Sequence, residues 1–454
     1  MNRLFFILIV LAASFSAEAQ KVDTAYKKIT NKINIAEPEV HRIISSLASD
    51  SMRGRGLTNY GAEIAAAFIE NEYSKIGLEQ YNNYTNYQQP FKAIRMIPQE
   101  GYVKINGVNI DPQKVILITD KAEIKWKNTD SVATPVEVIG PKDDFLKRLK
   151  QIEGTKKDAI VLVDYKHAAV FGVFRSRFKR DRFESDSSAL AKNSYVFIMD
   201  NQTSLSKYDI LVKNEVKYIS MYNVVGMIPG KAKKDEYVIF SAHYDNFGYV
   251  SVSKGDSIAN GADENASGVT AVIELAKYFK EQGGNERTLL FVNYNGETIG
   301  GVGSKYFSKN IDPAKVIAVY NIDAIGKESK FGPRSAFITG YDKSNLGEKM
   351  KAEGAKINFK FKPDPYKDQG LFYQAANTPL ALLGVPSHTF STVQIDVDRY
   401  LGGNKQRDDM NTIELNNMTE IIKAIAFASK DLVDGKFTPD RVTKLRDDPN
   451  KRNQ

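Results

Sequence analysis

Four short stretches in the second half of the chain hold the side chains best suited to chemistry. They are Ser241-Ala-His243-Tyr-Asp245, Gly261-Ala-Asp263-Glu264-Asn265-Ala-Ser-Gly268, Gly296-Glu297-Thr298, and Asp323 behind an apolar run. His243, Asp263 and Asp323 make a set of one imidazole and two carboxylates. That set suits zinc, and three protein ligands with one open position compose a catalytic zinc site. Asp245, two residues past His243, is placed to orient the imidazole. Glu297 is the candidate general base, taking a proton from water. His-x-Asp alone is weak evidence and is most often structural. The weight comes from several clusters in order, each at the end of an expected element.

Those elements are legible from periodicity. Tyr237-Val-Ile-Phe-Ser-Ala242 is an apolar run of buried-strand length, and His243 follows it. Thr288-Leu-Leu-Phe-Val-Asn293 precedes Glu297, and Val316 to Ile322 ends on Asp323. Between them Val269, Val272, Ile273, Ala276 and Phe279 fall at helical spacing behind Ser267 and Gly268. Polar residues at the carboxyl ends of neighbouring strands are where an open α/β sheet puts its site.

The 454 residues point to two or three domains with ample core. Residues 1–19 read as a secretory signal: Arg3, an apolar core Leu4 to Ala13, and Ala17-Glu-Ala19 as cleavage site. No later stretch has the apolar length of a membrane span, so a soluble, exported mature chain is expected, periplasmic or extracellular. There is no Cys, which excludes disulfides, thiolate metal sites and lipidation on Cys. The net charge is +8, but Lys is spread along the whole chain, so no nucleic-acid role is expected.

Residues 20–98 open with a short helix at Glu37 to Leu47, a turn-rich Met52-Arg-Gly-Arg-Gly56 and a helix from Gly61 to Ile76. Residues 99–218 change character. Short β-like runs (Val115 to Ile118, Val136 to Ile139, Ala159 to Val163) alternate with charged turns, which reads as an inserted, mostly β domain. Its basic run, Phe174 to Arg182, has interleaved aromatics suited to an anionic ligand, but a solvated hairpin or loop is the favoured reading. Strand and helix alternation resumes over 219–435 and closes with a helix at Ile421 to Leu432, before a charged tail, 436–454. His41 and His167 are expected at the surface or in caps. His388 either replaces a ligand or, more in keeping with its Gly-x-Pro neighbour, holds a turn.

These motifs resemble the exported zinc aminopeptidases, the family that also includes glutamate carboxypeptidase-like and transferrin-receptor ectodomains. The resemblance rests on Tyr222-Asn-Val-Val-Gly-Met-Ile-Pro-Gly230, Ala242-His-Tyr-Asp245, Gly261 to Gly268, Gly303-Ser-Lys-Tyr-Phe307, Asn321-Ile-Asp323 and Gly384-Val-Pro-Ser-His-Thr389. Met52-Arg-Gly-Arg55 and the helix to Gly77 add to it, and Asp158 to Val163 is similar to a protease-associated domain. It implies an α/β sandwich on a mixed sheet with an inserted, mostly β protease-associated-like domain. It also implies removal of N-terminal amino acids by two adjacent zinc ions.

Carried over residue by residue, the resemblance makes His243 and Asp323 ligands of one zinc, Asp263 the bridging carboxylate and Asp245 its partner. Glu297 matches the general base, counted back from Gly303-Ser304. The glutamate expected next falls on Thr298, and the final histidine, counted back from Asp408, falls on Asn404. An Arg-Ser-Asp stretch of the family stands here as Gln374-Ala375-Ala376. A hydroxyl and an amide replace a carboxylate and an imidazole poorly on zinc, so one zinc is expected and a second is doubtful. The leading reading is a metallo-exopeptidase acting on peptides. The alternative is a catalytically inactive binding protein on the same scaffold. An acyl-transfer relative such as glutaminyl cyclase ranks last, because it would keep the site lost here. Oligomeric state and substrate side chain are not legible.

Overall fold

The computed structural model describes residues 32–444 except 100, 131–132, 179–180, 186–189 and 399–404. The expected signal, Asn404 and the tail from 445 therefore lie outside the described residues. The chain divides into two units, one holding residues 32–90 and 222–444, the other 91–221.

In the first unit, helices α1 (Glu37–Leu47) and α2 (Gly61–Ile76) come first. The long strand β1 (Tyr208–Ile228) brings the chain back from the other unit, and β2 (Lys233–His243), α3 (Gly268–Gln282), β3 (Arg287–Tyr294), α4 (Val302–Lys309) and β4 (Val316–Ile322) follow. Then come β5 (Ser335–Ile338), α5 (Leu346–Ala355), β6 (Lys360–Pro363), β7 (Ser387–Ser391) and α6 (Leu415–Ala428). The sheet runs β6-β5-β7-β4-β2-β3-β1. Its centre is parallel: β2 pairs with both β3 and β4, and β4 with β7. β1 and β5 join antiparallel, so the sheet is mixed.

The apolar runs have no alternation because both faces are covered. On one face Val238, Phe240 and Ala242 pack with Phe291, Tyr320 and the apolar sides of α1, α2, α3 and α6. On the other, Ile239 packs with Leu290, Val292, Val319 and Phe307 of α4. Phe240 stacks on Phe291 at 5.7 Å and on Tyr320 at 5.1 Å, and Tyr320 on Phe390 at 5.2 Å. This ladder crosses β3, β2, β4 and β7. Each buried ring contributes roughly 1.5–3 kcal/mol, which fixes the strands that end at the site. The closing helix begins six residues before the expected Ile421, at Leu415, and breaks at Ser429 before a short turn of helix, Lys430–Val433.

The second unit has a four-stranded sheet in the order Val115–Ile118, Tyr195–Met199, Ala159–Val163, Val136–Ile139. Tyr102–Ile105 and Glu123–Lys127 pair with the opening residues of β1. Val103, Val115, Trp126, Ile160, Ile210 and Val212 belong to one of its cores. Two helices, Phe145–Gly154 and Ala168–Phe178, cover a second core. The basic run is thus no simple hairpin or loop: Phe174 to Phe178 ends a helix, and Arg182–Glu184 is a strand. Among the described residues no helix is long and apolar enough to cross a membrane.

Candidate metal centre

The parallel pairing sets the strand ends side by side. Ser241 stands opposite Asn321, and His243 opposite Tyr294. His243 therefore leaves β2, Asp323 leaves β4 and Glu297 follows β3 at one edge of the sheet. The loop from Gly261 to Ser267 supplies the next carboxylate. Gly261 has φ +61, and a Cβ there would collide with the Asn246 side chain and the Glu264 carbonyl. Only glycine allows this turn.

Two buried charges shape the loop. Arg55 is fully buried and donates to the carbonyls of Tyr244 (2.9 Å), Leu47 (2.8 Å), Asn260 (2.6 Å) and Gly261 (2.7 Å). Burial lowers its pKa to about 10, which leaves it charged at neutral pH. Asp408 accepts from the Asp263 amide (2.7 Å) and the Glu264 amide (2.9 Å). Burial, with the charge of Asp263, pushes Asp408 up to about 7. Arg55 thus holds the carbonyls of the segment and Asp408 its amides. Neither role has a local sequence signal, though Arg55 lies in the Met52-Arg-Gly-Arg motif.

The expected trio is not what the structure brings together. His243, Glu264 and Asp323 present ligand atoms within 4.8 Å of one another. The His243 Nε2 is 3.3 Å from Glu264 Oε1 and 3.9 Å from Asp323 Oδ1. Asp263 turns the other way. Its carboxylate accepts from the Gly326 amide (2.8 Å) and lies 3.6 Å from the Lys327 Nζ, tying the loop to the segment after β4. Glu264, one position along in the same motif, stands with His243 and Asp323 where Asp263 was expected.

The surrounding charges are closely coupled. Burial works against a protonated His243, but Glu264, Asp323 and Asp245 outweigh it and raise its pKa to about 10. Burial and the charge of Glu264 push Asp323 up to about 8. Burial works to raise Glu264 as well, and His243, Lys405 and Arg55 reverse this to hold it below the usual carboxylate value. Burial pushes Glu297 up to about 7, and its Oε2 is buried with no hydrogen-bond partner among the described residues.

Asp245 supports Glu297 more directly than His243. Its carboxylate accepts from the amides of Glu297 and Thr298, both 3.0 Å, and from the Thr298 hydroxyl at 2.6 Å. The His243 Nδ1 is nearer the Asp245 carbonyl (3.1 Å) than its carboxylate (3.8 Å). Thr298 is thereby committed to Asp245. His388 is no substitute ligand: its Nδ1 meets the Thr339 carbonyl at 2.9 Å and its Nε2 the Ser344 hydroxyl at 2.8 Å. Burial lowers it to about 4, so the ring is neutral. It braces β5 and the residues beyond rather than the Gly384-Val-Pro386 turn.

The donor set fits zinc: one imidazole nitrogen and two carboxylate oxygens converge, and the Glu297 carboxylate, whose Oε2 has no partner among the described residues, is buried as well. The carboxylates hold a positive charge on His243, and a bound cation would take that proton's place. Glu264 and Asp323 open onto a cavity of about 250 Å³ walled by Phe337, Leu371, Ala375 and Val393.

A mixed α/β sheet carries this cluster at its strand ends. Residues 223–429, most of this unit, match the model of peptidase family M28. The fold is similar to an aminopeptidase from Aneurinibacillus sp. strain AM-1, at 16% identity over 89% of this chain and 95% of that one, with a TM-score of 0.55. It is similar to BSAP, a zinc aminopeptidase from Bacillus subtilis, at 15% identity over 91% and 100%, TM-score 0.53. A peptidase M28 precursor from Shewanella amazonensis SB2B matches at 15% identity over 93% and 99%, TM-score 0.52.

Proposed function

We propose that the protein is an exported metallo-exopeptidase of aminopeptidase type, holding a single zinc ion on His243, Glu264 and Asp323. Its family and its structural neighbours support a metallopeptidase. Bound there, zinc would polarise the scissile carbonyl and acidify a water. Glu297 accepts a proton from the attacking water as the C–O bond forms, and gives it to the leaving amine as the C–N bond breaks. A pKa near 7 suits both transfers. Asp245 fixes Glu297 through its backbone, and the apolar cavity beside Asp323 receives an uncharged side chain. The carrying observation is the convergence of three possible ligand atoms beside Glu297, whose buried Oε2 has no hydrogen-bond partner among the described residues. Export through residues 1–19, and the second unit as a protease-associated-like insert, belong to the same proposal.

The test compares the wild type with Glu297→Gln for zinc content and for hydrolysis of aminoacyl and dipeptide substrates. Both should bind one zinc, and the variant should lose at least about 100-fold in rate. Equal rates would defeat the proposal. One observation favours the inactive binding protein as the second reading: Thr298, standing where the resemblance expects a ligand, is bound to Asp245. That reading predicts peptide binding with no turnover by either protein.

A further inference from the structure

The second unit contains a cavity of about 600 Å³, a size that suits a small organic ligand. Val103, Ile110, Val115, Leu117 and Val212 give it apolar walls. Three cations, Arg175, Arg182 and Lys213, also line it, and among the described residues no Asp or Glu does. Two of them have partners. Arg182 pairs with Asp120 at 2.8 Å and also donates to the Thr119 carbonyl, and Lys213 lies 3.9 Å from Glu123. Arg175 differs: its Nη1 is buried with no hydrogen-bond partner among the described residues.

Position 175 follows Phe171 by one helical turn, and Phe171 is packed in the core under that helix. The side chain is thus directed inward by the helix that carries it. A buried guanidinium nitrogen with no partner costs free energy unless an anion completes it. Its planar fork matches a carboxylate.

We propose that this cavity is a binding site for a small amphiphilic carboxylate, with the apolar body between the sheet residues and the carboxylate on Arg175. The site stands apart from the peptidase chemistry and survives if that reading fails. Two sources present this chemistry, a free medium-chain fatty acid and the free C-terminus of an apolar peptide.

Trp126, the only tryptophan, belongs to the same core as Val103, Val115 and Val212 and serves as reporter. The full-length protein is titrated with decanoate, with decanol, and with N-acetyl-leucyl-leucine and its amide, following Trp126 emission and heat of binding. At least one carboxylate should bind saturably, one per chain, and its uncharged counterpart about tenfold or more weakly. Arg175→Gln should remove that difference while leaving the counterpart's binding unchanged, and Arg175→Lys should restore part of it. The tighter of decanoate and the peptide acid identifies the source. Binding by neither, or carboxylate binding unchanged in a folded Arg175→Gln, overturns the proposal.

Discussion

Exchanging the two neighbouring acids of Gly261-Ala-Asp263-Glu264 separates a ligand from a brace. In Asp263→Asn, the amide oxygen can still accept from Gly326, whose amide lies 2.8 Å from the Asp263 carboxylate, but the charge facing Lys327 is lost. The expected cost is about 1–2 kcal/mol of stability, with the three ligand atoms left in place. In Glu264→Gln one of two ligand carboxylates goes. Losing a residue that merely supports a ligand weakens metal binding about 10–100-fold, so losing the ligand should cost at least the upper figure. At a zinc concentration of about one hundred times the wild-type Kd, binding adds about 2.7 kcal/mol to stability. At roughly 2–4 °C per kcal/mol this raises Tm by about 5–10 °C. A ligand bound about 100-fold more weakly adds about 0.4 kcal/mol, or about 1 °C. Thermal melts with zinc and with chelator read both effects. Asp263→Asn should melt lower but keep the zinc-induced shift, and Glu264→Gln should lose it. The opposite pattern, with Asp263→Asn losing the shift, refutes the assignment.

Arg55→Lys keeps the charge but cannot reach four carbonyls at once. It should lower Tm by more than about 5 °C and weaken zinc binding, both seen in the same melts; an unchanged Tm would show that the loop does not depend on this residue. Glu274 of α3 is 1% exposed, and both carboxylate oxygens are buried without hydrogen-bond partners among the described residues. Burial raises it to about 7, with Lys277 and Arg42 opposing and Glu39 and Glu281 adding. The folded state then keeps a proton that the unfolded chain releases near the ordinary carboxylate value of 4.5, so stability falls as pH rises from there to about 7 and levels above. The span is at most about 3.4 kcal/mol. Glu274→Gln should flatten this part of the pH–Tm curve, and an identical curve would contradict the account.

What the sequence disclosed, and where it stopped, has a physical pattern. Buried parallel strands announce themselves because both faces are apolar, so β2, β3 and β4 were legible, with His243, Asp323 and Glu297 beyond their ends. Asp263 and Glu264 were not separable. They sit in an irregular turn with no period to say which side chain faces the sheet edge. What decides it is non-local: Asp408 holds both their amides, and Gly326 offers an amide to Asp263. Thr298 looked like a lost ligand, and its bond to Asp245 required the fold to be seen. The helix Ala168–Phe178 was missed because its apolar residues do not gather in one clear stripe and its last turn is basic.

Diffraction from zinc-soaked crystals at the zinc absorption edge tests the centre itself. The account predicts one anomalous peak within about 2.0–2.2 Å of His243 Nε2 and of oxygens from Glu264 and Asp323. Two peaks, or a single peak bonded to Asp263, would contradict it.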